Sequence, residues 1–213
     1  MNGWRVERIR GSAGVHHARE LPDPLTRTAW IFTVDRPALV LGSTQPDDLV
    51  DRAALAARGA ELVRRRSGGG AVWLEPGGTL WVDLLLPPGD LLWDDDVGRA
   101  AHWVGAAWAA AIGEGATVHR GGMVCSAESG RVCFAGLGPG EVTIGGRKAV
   151  GVSQRRTRAG ARFQCVAYEA WDPGPLAGVL QLSEEASSGL DAVATGLNRP
   201  LDAVEGALLD HVP

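Results

Sequence analysis

Lysine is almost absent from this chain of 213 residues: Lys148 is the single lysine among 21 lysines and arginines. Arginine cannot replace a compact ammonium that must reach a small oxygen and whose pKa shifts readily on burial. Lys148 is therefore a candidate functional residue. The alternative is that it is a chance survivor in an arginine-biased composition.

Cysteines, long apolar runs and excess basic charge are also scarce. The three cysteines, Cys125, Cys133 and Cys165, are odd in number and lack CxxC spacing, which argues against a disulfide framework or a zinc site. No apolar run approaches the ~20 residues of a membrane span, and residues 1–7 lack a hydrophobic signal core. The net charge of −4 gives no basic field for nucleic acid. We expect a cytoplasmic protein in a reduced setting, with neither a membrane nor a nucleic acid as partner.

What the chain does have is a globular composition and a mixed pattern of elements. Its 45% apolar and 22% charged residues, at this length, predict one domain over residues 1–213. Strands are predicted at residues 4–9, 28–34, 38–41, 62–65, 79–86, 118–120, 132–135, 141–144, 149–155 and 163–169. Helices are predicted at residues 47–58, 94–111, 173–182 and 201–211. Because strands and helices do not alternate strictly, the pattern favours an α+β fold with mixed β-sheets packed against helices.

The strand at residues 79–86 and the histidine pair carry local predictions. Alternation places Leu80, Val82, Leu84 and Leu86 on one face of that strand and Trp81, Asp83 and Leu85 on the other. Asp83 is then either a functional acid or a residue at a strand edge. His16 and His17 point in different directions on any regular element, so we expect surface or capping roles. Residues 113–130 form the least regular segment.

The most distinctive stretch is Arg64-Arg65-Arg66-Ser67-Gly68-Gly69-Gly70-Ala71-Val72. Three glycines allow the backbone to approach a ligand closely, and arginines add fork-shaped donors for a carboxylate or phosphate. The pattern is neither GxGxxG nor GxxxxGK[ST], so the usual nucleotide fingerprints do not apply. On composition alone, a solvated hairpin turn with a basic edge is the alternative.

Three motifs in order resemble the lipoate-protein ligase and octanoyltransferase family. Residues 64–72 resemble its R-R-x-S-G-G-G-A-V signature, residues 36–45 its R-P-A-x-V-x-G-x-x-Q segment, and residues 146–155 its G-[RK]-K-I-x-G-S-A-Q-x-R segment. The resemblance implies the biotin/lipoate ligase-like catalytic fold and transfer of an octanoyl or lipoyl group to one lysine of a carrier domain. It places Lys148 on the catalytic lysine. The implied substrate-binding residues are Arg65, Ser67, Gly68, Gly69, Gly70, Ala71, Val72, Trp73 and Gly151.

Two routes exist in such a family, and the resemblance leaves both open. A ligase makes an acyl-adenylate from free lipoate with ATP and magnesium, whereas a transferase takes the acyl group from a thioester on acyl carrier protein and needs no cofactor.

Cys133-Phe134 precedes Glu141 and the G-R-K segment, as the nucleophile does in the cysteine-dependent octanoyltransferases. A thiolate is a good nucleophile towards a thioester, and a nearby ammonium favours the thiolate. Cys133 is therefore the expected second catalytic residue, with a small buried hydrophobe as the alternative. Cys125 and Cys165 are expected to be structural.

The chain departs from the family pattern at two places. Leu74 and Glu75 stand where the family has His-Asp, and Gln164-Cys165 stands where it has the histidine of H-G-[ST]-[IL]-L. These losses leave open a divergent or an inactive member. We expect no room in this chain for the accessory C-terminal domain of two-domain lipoate ligases, which favours transfer over self-sufficient ligation or indicates a separately encoded partner. A non-catalytic binder of acylated carriers or of a small acid is the third hypothesis.

Overall fold

A computed structural model describes residues 3–213 of the chain. The helices are α1 (Ala13–Ala18), α2 (Arg52–Ala57), α3 (Val97–Ala100), α4 (His102–Ile112), α5 (Gly174–Val179), α6 (Glu184–Val193) and α7 (Leu201–His211). The strands are β1 (Arg5–Gly11), β2 (Thr28–Val34), β3 (Ala38–Leu41), β4 (Glu61–Arg64), β5 (Val72–Leu74), β6 (Thr79–Leu86), β7 (Ala116–Val118), β8 (Val142–Ile144), β9 (Arg147–Thr157) and β10 (Gly160–Tyr168). None of the helices in this described part is long and apolar enough to cross a membrane.

A seven-stranded mixed sheet is the larger of two sheets, in the order β1-β2-β6-β10-β9-β8-β7. Strands β1 and β2 pair in parallel, and the other neighbours are antiparallel. A second sheet has the order β4-β3-β5, in which β3 pairs in parallel with β4 and antiparallel with β5. These sheets with their covering helices confirm the α+β prediction.

The alternation predicted for β6 is confirmed by its two faces. Leu80, Val82, Leu84 and Leu86 pack in a core with α4 and α7, to which α4 contributes Val104 and Trp108. Trp81 and Leu85 face the opposite side, where they meet Val40, Val72 and Leu74 from the three-stranded sheet. Because successive side chains of a strand point to opposite faces, one strand supplies both cores. The second core is the one that borders the candidate site.

Several element predictions were wrong in detail. Residues 132–135 form no strand; Cys133–Ala135 is a short 3₁₀ helix, preceded by a single bridge between Val132 and Ala71. The helix expected over residues 47–58 is split into a 3₁₀ turn and α2, because Asp51 caps the second piece through the amide of Ala54. The helix expected after the aspartate cluster is likewise divided into α3 and α4. Strand β5 and helices α1 and α6 were not predicted.

Asp83 lies in the interior of the large sheet, so the prediction of a strand-edge position was wrong. Strand β6 is paired on both sides, with β2 and β10. The carboxylate of Asp83 is fully buried, accepts a hydrogen bond from Trp81 Nε1 at 2.7 Å and forms an ion pair with Arg162. Burial raises the pKa of Asp83, and the charge of Arg162 opposes that shift. Asp83 thus ties β6 to β10 beneath the site.

Candidate active site

The end of the glycine loop is joined to the backbone around Cys133. The amide of Ala71 donates to the carbonyl of Arg131 at 2.7 Å, and the amide of Cys133 donates to the carbonyl of Ala71 at 2.9 Å. A Cβ on Gly70 would lie 2.5 Å from the carbonyl carbon of Val132. Gly70 therefore lacks a side chain because the loop packs directly against this turn.

Arg65 holds the loop from within. Its buried guanidinium donates through Nη2 to the carbonyls of Gly68 and Gly70, each at 2.8 Å. Gly69 has a φ of +97°, a conformation that favours glycine. Burial lowers the pKa of Arg65, although arginine remains protonated. The inner arginine of the loop therefore fixes the loop's own carbonyls, a role that the sequence pattern did not indicate.

Lys148, on β9, is buried against this same turn. Its Nζ lies 2.7 Å from Glu141 Oε2, 2.8 Å from the carbonyl of Cys133 and 2.9 Å from the carbonyl of Gly136. Its distance to the Sγ atom of Cys133 is 3.7 Å. Burial lowers the pKa of Lys148, but the negative charges of Cys133 and Glu141 outweigh it, so the pKa is raised overall. Lys148 is therefore an ammonium ion beside the thiol.

Glu141 is a site residue that the sequence prediction did not include, although it begins the E-x-x-x-x-G-R-K segment. Its Oε2 also accepts from the amide of Gly138 at 2.7 Å, and its Oε1 accepts from the amide of Val152 at 3.1 Å. The carboxylate is buried and has a partner for each oxygen. Glu141 therefore places the ammonium of Lys148 and balances its charge.

An apolar cavity lies between the two sheets. Most of its wall is hydrophobic, formed by Val40, Val72, Leu74, Trp81, Phe134, Val152 and Val166. Cys133 and Arg65 line both this cavity and an open cleft that also contains Lys148 and the loop residues Ser67–Gly70. The thiol thus stands where an apolar space meets a more polar one.

His17 lines the apolar cavity, so the prediction of a surface or capping role for it was wrong. Its ring lies 4.5 Å from the ring of Trp81, and its Nδ1 lies 3.3 Å from Gln164 Nε2. Burial lowers the pKa of His17 to about 3, and the charges of Arg162 and Arg65 add to that effect. His16 is buried as well and makes a 3.2 Å hydrogen bond with the carbonyl of Thr33. A sequence of two adjacent polar residues gave no signal of this placement.

Most of the residues expected at the site do line it. The cleft contains Arg65, Ser67, Gly68, Gly69, Gly70, Cys133 and Lys148, and the cavity contains Val72 and Gly151. Ala71 and Trp73 line neither space; both are buried in the core behind the loop, where Tyr168 donates to the carbonyl of Trp73 at 2.7 Å. Cys165 is buried, whereas Cys125 is exposed at the cleft. Within residues 3–213 no cluster of three or more histidine, cysteine or acidic residues could hold a metal ion.

Residues 16–203 match the family described as "Lipoyl protein ligase A/B catalytic domain". No curated protein matches the sequence. Among solved structures, the Thermoplasma acidophilum protein Ta0514 with bound lipoic acid gives a TM-score of 0.70 at 17% identity, over 99% of this chain and 84% of that one. A lipoate-protein ligase A bound with ATP gives 0.70 at 18% identity, over 99% and 84% of the two chains. A bi-partite lipoate protein ligase, also from T. acidophilum, gives 0.70 at 17%, over 98% and 81%. At these identities the solved structures establish a shared fold.

Proposed function

Since the chain belongs to the lipoyl protein ligase A/B catalytic-domain family and is an enzyme of that family, we propose that it transfers an octanoyl or lipoyl group from a thioester to a lysine of a carrier domain. The proposal that the donor is a thioester rests on one observation. Cys133 Sγ lies 3.7 Å from Lys148 Nζ, at the junction of the apolar cavity and the open cleft. A nucleophile at that junction can reach the carbonyl of a chain held in the cavity.

In the first step the Cys133 thiolate attacks the carbonyl carbon of the donor thioester. A new carbon–sulfur bond forms, the carbonyl oxygen takes negative charge, and collapse of this intermediate breaks the bond to the carrier's sulfur. The carrier leaves as a thiolate that takes a proton from solvent. The ammonium of Lys148 stabilises the anionic sulfur of Cys133 by charge at short range.

In the second step the uncharged amine of the acceptor lysine attacks the acyl-Cys133 carbonyl. An amide bond forms, the bond to Sγ breaks, Cys133 is regenerated as a thiolate, and one proton is released to solvent. The open side of the cleft, bordered by Gly68 and Lys148, is the accessible side from which this amine can approach.

The hydrogen bonds of Lys148 limit how it acts. An ammonium has three donors, and Glu141, the carbonyl of Cys133 and the carbonyl of Gly136 accept all three. Lys148 can donate to an acyl oxygen only after one of these bonds is exchanged. In the free enzyme its contribution is therefore charge beside the thiol. Because the carbonyl of Cys133 belongs to the nucleophile's own residue, acylation affects this hydrogen bond more directly than the bonds to Glu141 and to the carbonyl of Gly136.

Adenylate formation from free lipoate is the competing hypothesis, and a structurally similar lipoate-protein ligase A has been solved with ATP. Two features of this chain support the thioester route. Ala71 and Trp73, which the resemblance implies as substrate-binding residues, are packed in the core behind the loop. The Arg65 guanidinium is directed to the loop's own carbonyls.

Intact-protein mass spectrometry tests the proposal. The enzyme is mixed with octanoyl carrier protein and no acceptor, and we expect an acyl-enzyme whose mass is raised by one octanoyl group. Cys133→Ser should remove it, because an alkoxide forms far less readily than a thiolate at neutral pH. Cys125→Ser, which changes the other cysteine at the cleft, is the matched control and should still be acylated.

Two other results would redirect the assignment. Modification of an acceptor domain that needs lipoate, ATP and magnesium, and that survives Cys133→Ser, would establish the ligase route. Failure of both donors to modify any acceptor would leave the non-catalytic binder as the remaining account.

A further inference from the structure

Two arginines at one edge of the cleft have no part in the chemistry proposed above. Arg66 directly precedes Ser67, and Arg155 directly follows Gln154, where Ser67 and Gln154 both line the cleft. The hydroxyl oxygens of Ser67 and Ser153 lie 3.1 Å apart, so the glycine loop and β9 meet at this edge. Arg66 and Arg155, which we call the edge arginines, therefore stand on two adjoining segments beside the site.

Glu20, in the loop between α1 and β2, bridges the edge arginines. Its Oε1 lies 2.5 Å from Arg66 Nη1, and its Oε2 lies 4.0 Å from Arg155 Nη1. The side chain of Glu20 is 66% exposed, compared with 45% for Arg66 and 32% for Arg155. One carboxylate between two guanidinium groups leaves a net positive charge. Because exposed ion pairs contribute little to stability, this carboxylate can be exchanged for another one at small cost.

The charge at this edge is opposite in sign to that of the whole chain. The protein carries a net charge of −4, whereas the edge arginines with Glu20 are net positive. Among the described residues that line the cleft, Arg65 and Lys148 are cationic and Glu141 is the one carboxylate. Positive charge clustered on an otherwise acidic protein steers a negatively charged partner to the cluster and disfavours contact elsewhere. An acidic partner is therefore drawn to the cleft that holds the thiol.

We propose that the edge arginines dock the carrier protein that brings the thioester, by binding carboxylates on the carrier's surface in place of Glu20. A guanidinium presents its N–H donors in a fork that matches a carboxylate, so two neighbouring arginines can hold two acidic side chains. The acceptor suits this edge less well, because like charges repel and its target lysine is an ammonium until it loses a proton. This inference rests on the proposed function, because it assumes a thioester donor carried by a protein.

Acylation of the thiol by two octanoyl thioesters tests the docking on the full chain. Octanoyl carrier protein presents the carrier surface, whereas octanoyl-pantetheine delivers the same acyl group from a small uncharged thiol. Intact-protein mass spectrometry follows the rate of acylation without acceptor. The variants are the double substitution Arg66→Gln with Arg155→Gln, and Glu20→Gln. The matched control is Arg8→Gln, because Arg8 is an exposed arginine paired with Glu205 and three strands separate β1 from β9.

The two kinds of variant should change the rate with the carrier protein in opposite directions. At low salt the double variant should react about tenfold more slowly, because clustered charge raises association rates by that order. Glu20→Gln should react about two- to threefold faster, since the arginines are no longer partly neutralised. Added salt should slow wild type more than the double variant. Arg8→Gln should match wild type, and all variants should react normally with octanoyl-pantetheine, which shows that the fold and the thiol are intact.

Three results would overturn the inference and leave the proposed function standing. The first is a double variant that reacts with the carrier protein as fast as wild type, and the second is one slowed equally with octanoyl-pantetheine. The third is an equal loss with octanoyl-phosphopantetheine, the arm without its protein, because the arginines would then bind the phosphate of the arm. If wild type is acylated by neither the carrier protein nor octanoyl-pantetheine, the proposed function falls, and the docking surface falls with it.

Discussion

Replacing Lys148 by methionine should destabilise the protein as well as inactivate it. Lys148 and Glu141 form an ion pair at 2.7 Å in which the side chains are only 3% and 6% exposed. Methionine has a similar length and no charge, so the substitution removes the ammonium and leaves the carboxylate in place. Glu141 then keeps its two amide donors, from Gly138 and Val152, but loses its counter-ion.

The burial of the pair sets the size of the effect. Removing one partner of a buried ion pair costs about 3–5 kcal/mol, because the remaining charge stays out of water without compensation. An exposed pair contributes about 0–1 kcal/mol. Arg52 and Asp47 form such a pair, with side chains 58% and 65% exposed. Arg52→Met is therefore the matched control and should change the free energy of unfolding by less than about 1 kcal/mol.

Urea denaturation at pH 7 measures these differences. Lys148→Met should lower the free energy of unfolding by about 3–5 kcal/mol. Adding Glu141→Gln removes the uncompensated charge, but the amide oxygen can accept from only one of the two backbone N–H groups of Gly138 and Val152, so it should recover only a part of that loss. A loss below about 1 kcal/mol for Lys148→Met would refute this account of the pair.

The pH dependence of this contribution has a definite sign. The pKa of Lys148 is raised on folding, because the charges of Glu141 and Cys133 outweigh burial. The contribution of its ammonium is therefore fully present below the ordinary lysine value of 10.5 and is lost as the pH rises through the higher folded value. Wild type should lose stability in that alkaline range more steeply than Lys148→Met does.

Two further substitutions test the packing of the loop and the charge state of the cavity. Gly70→Ala places a Cβ 2.5 Å from the backbone of Val132, so it should lower the free energy of unfolding in urea by about 1–3 kcal/mol and slow acylation. Gly68→Ala is the control: the space around Gly68 is open, so the change should stay within about 0.5 kcal/mol. Equal effects of the two substitutions would contradict the packing of Gly70 against this turn. The pKa of His17 falls from 6.5 to about 3 on folding, so below pH 6.5 the unfolded chain binds a proton that the folded chain does not. The titration of His17 should therefore lower the free energy of unfolding by at most about 2 kcal/mol between pH 7 and pH 5. His17→Phe should flatten that drop, and an unchanged slope would show that the ring is not held neutral.

The parts of the fold that the sequence predicted well are those that local periodicity determines. Strand β6 was found with both faces assigned, because side chains alternate along any strand and its residues are apolar on both sides. The glycine loop and Lys148 were found for a different reason. A run of three glycines and a single lysine are unusual in this composition, and the motif resemblance assigned a role to each.

The misplaced elements are those that depend on partners distant in the chain. Residues 132–135 are apolar with a β-branched start, which favours a strand, but Val132 finds only a single bridge to Ala71. The chain then turns so that the carbonyls of Cys133 and Gly136 face Lys148. Tertiary contacts override local β-propensity at such a turn, and no local pattern announces it.

Buried polar residues also depend on partners distant in the chain, which local sequence does not reveal. The partner of Asp83 is Arg162, 79 residues away, and the partner of His17 is Gln164, 147 residues away. Composition assigns a histidine or an aspartate to the surface, since an unpaired polar group is costly to bury. The pairing of β6 with β10 brings Arg162 to Asp83, and the contact of α1 with β10 brings Gln164 to His17.

The departures from the family pattern can now be placed, and their positions bear on whether the chain is divergent or inactive. Leu74 lines the apolar cavity, and Glu75 accepts from Trp73 Nε1 at 2.8 Å in the turn after β5. Gln164 lines the same cavity and holds His17. Lys148 keeps its ion pair with Glu141 and its hydrogen bond to the carbonyl of Cys133, so the departures leave this arrangement in place. Leu74 and Gln164 instead change the lining of the cavity that Cys133 also borders. Their positions therefore favour a divergent member of the family over an inactive one.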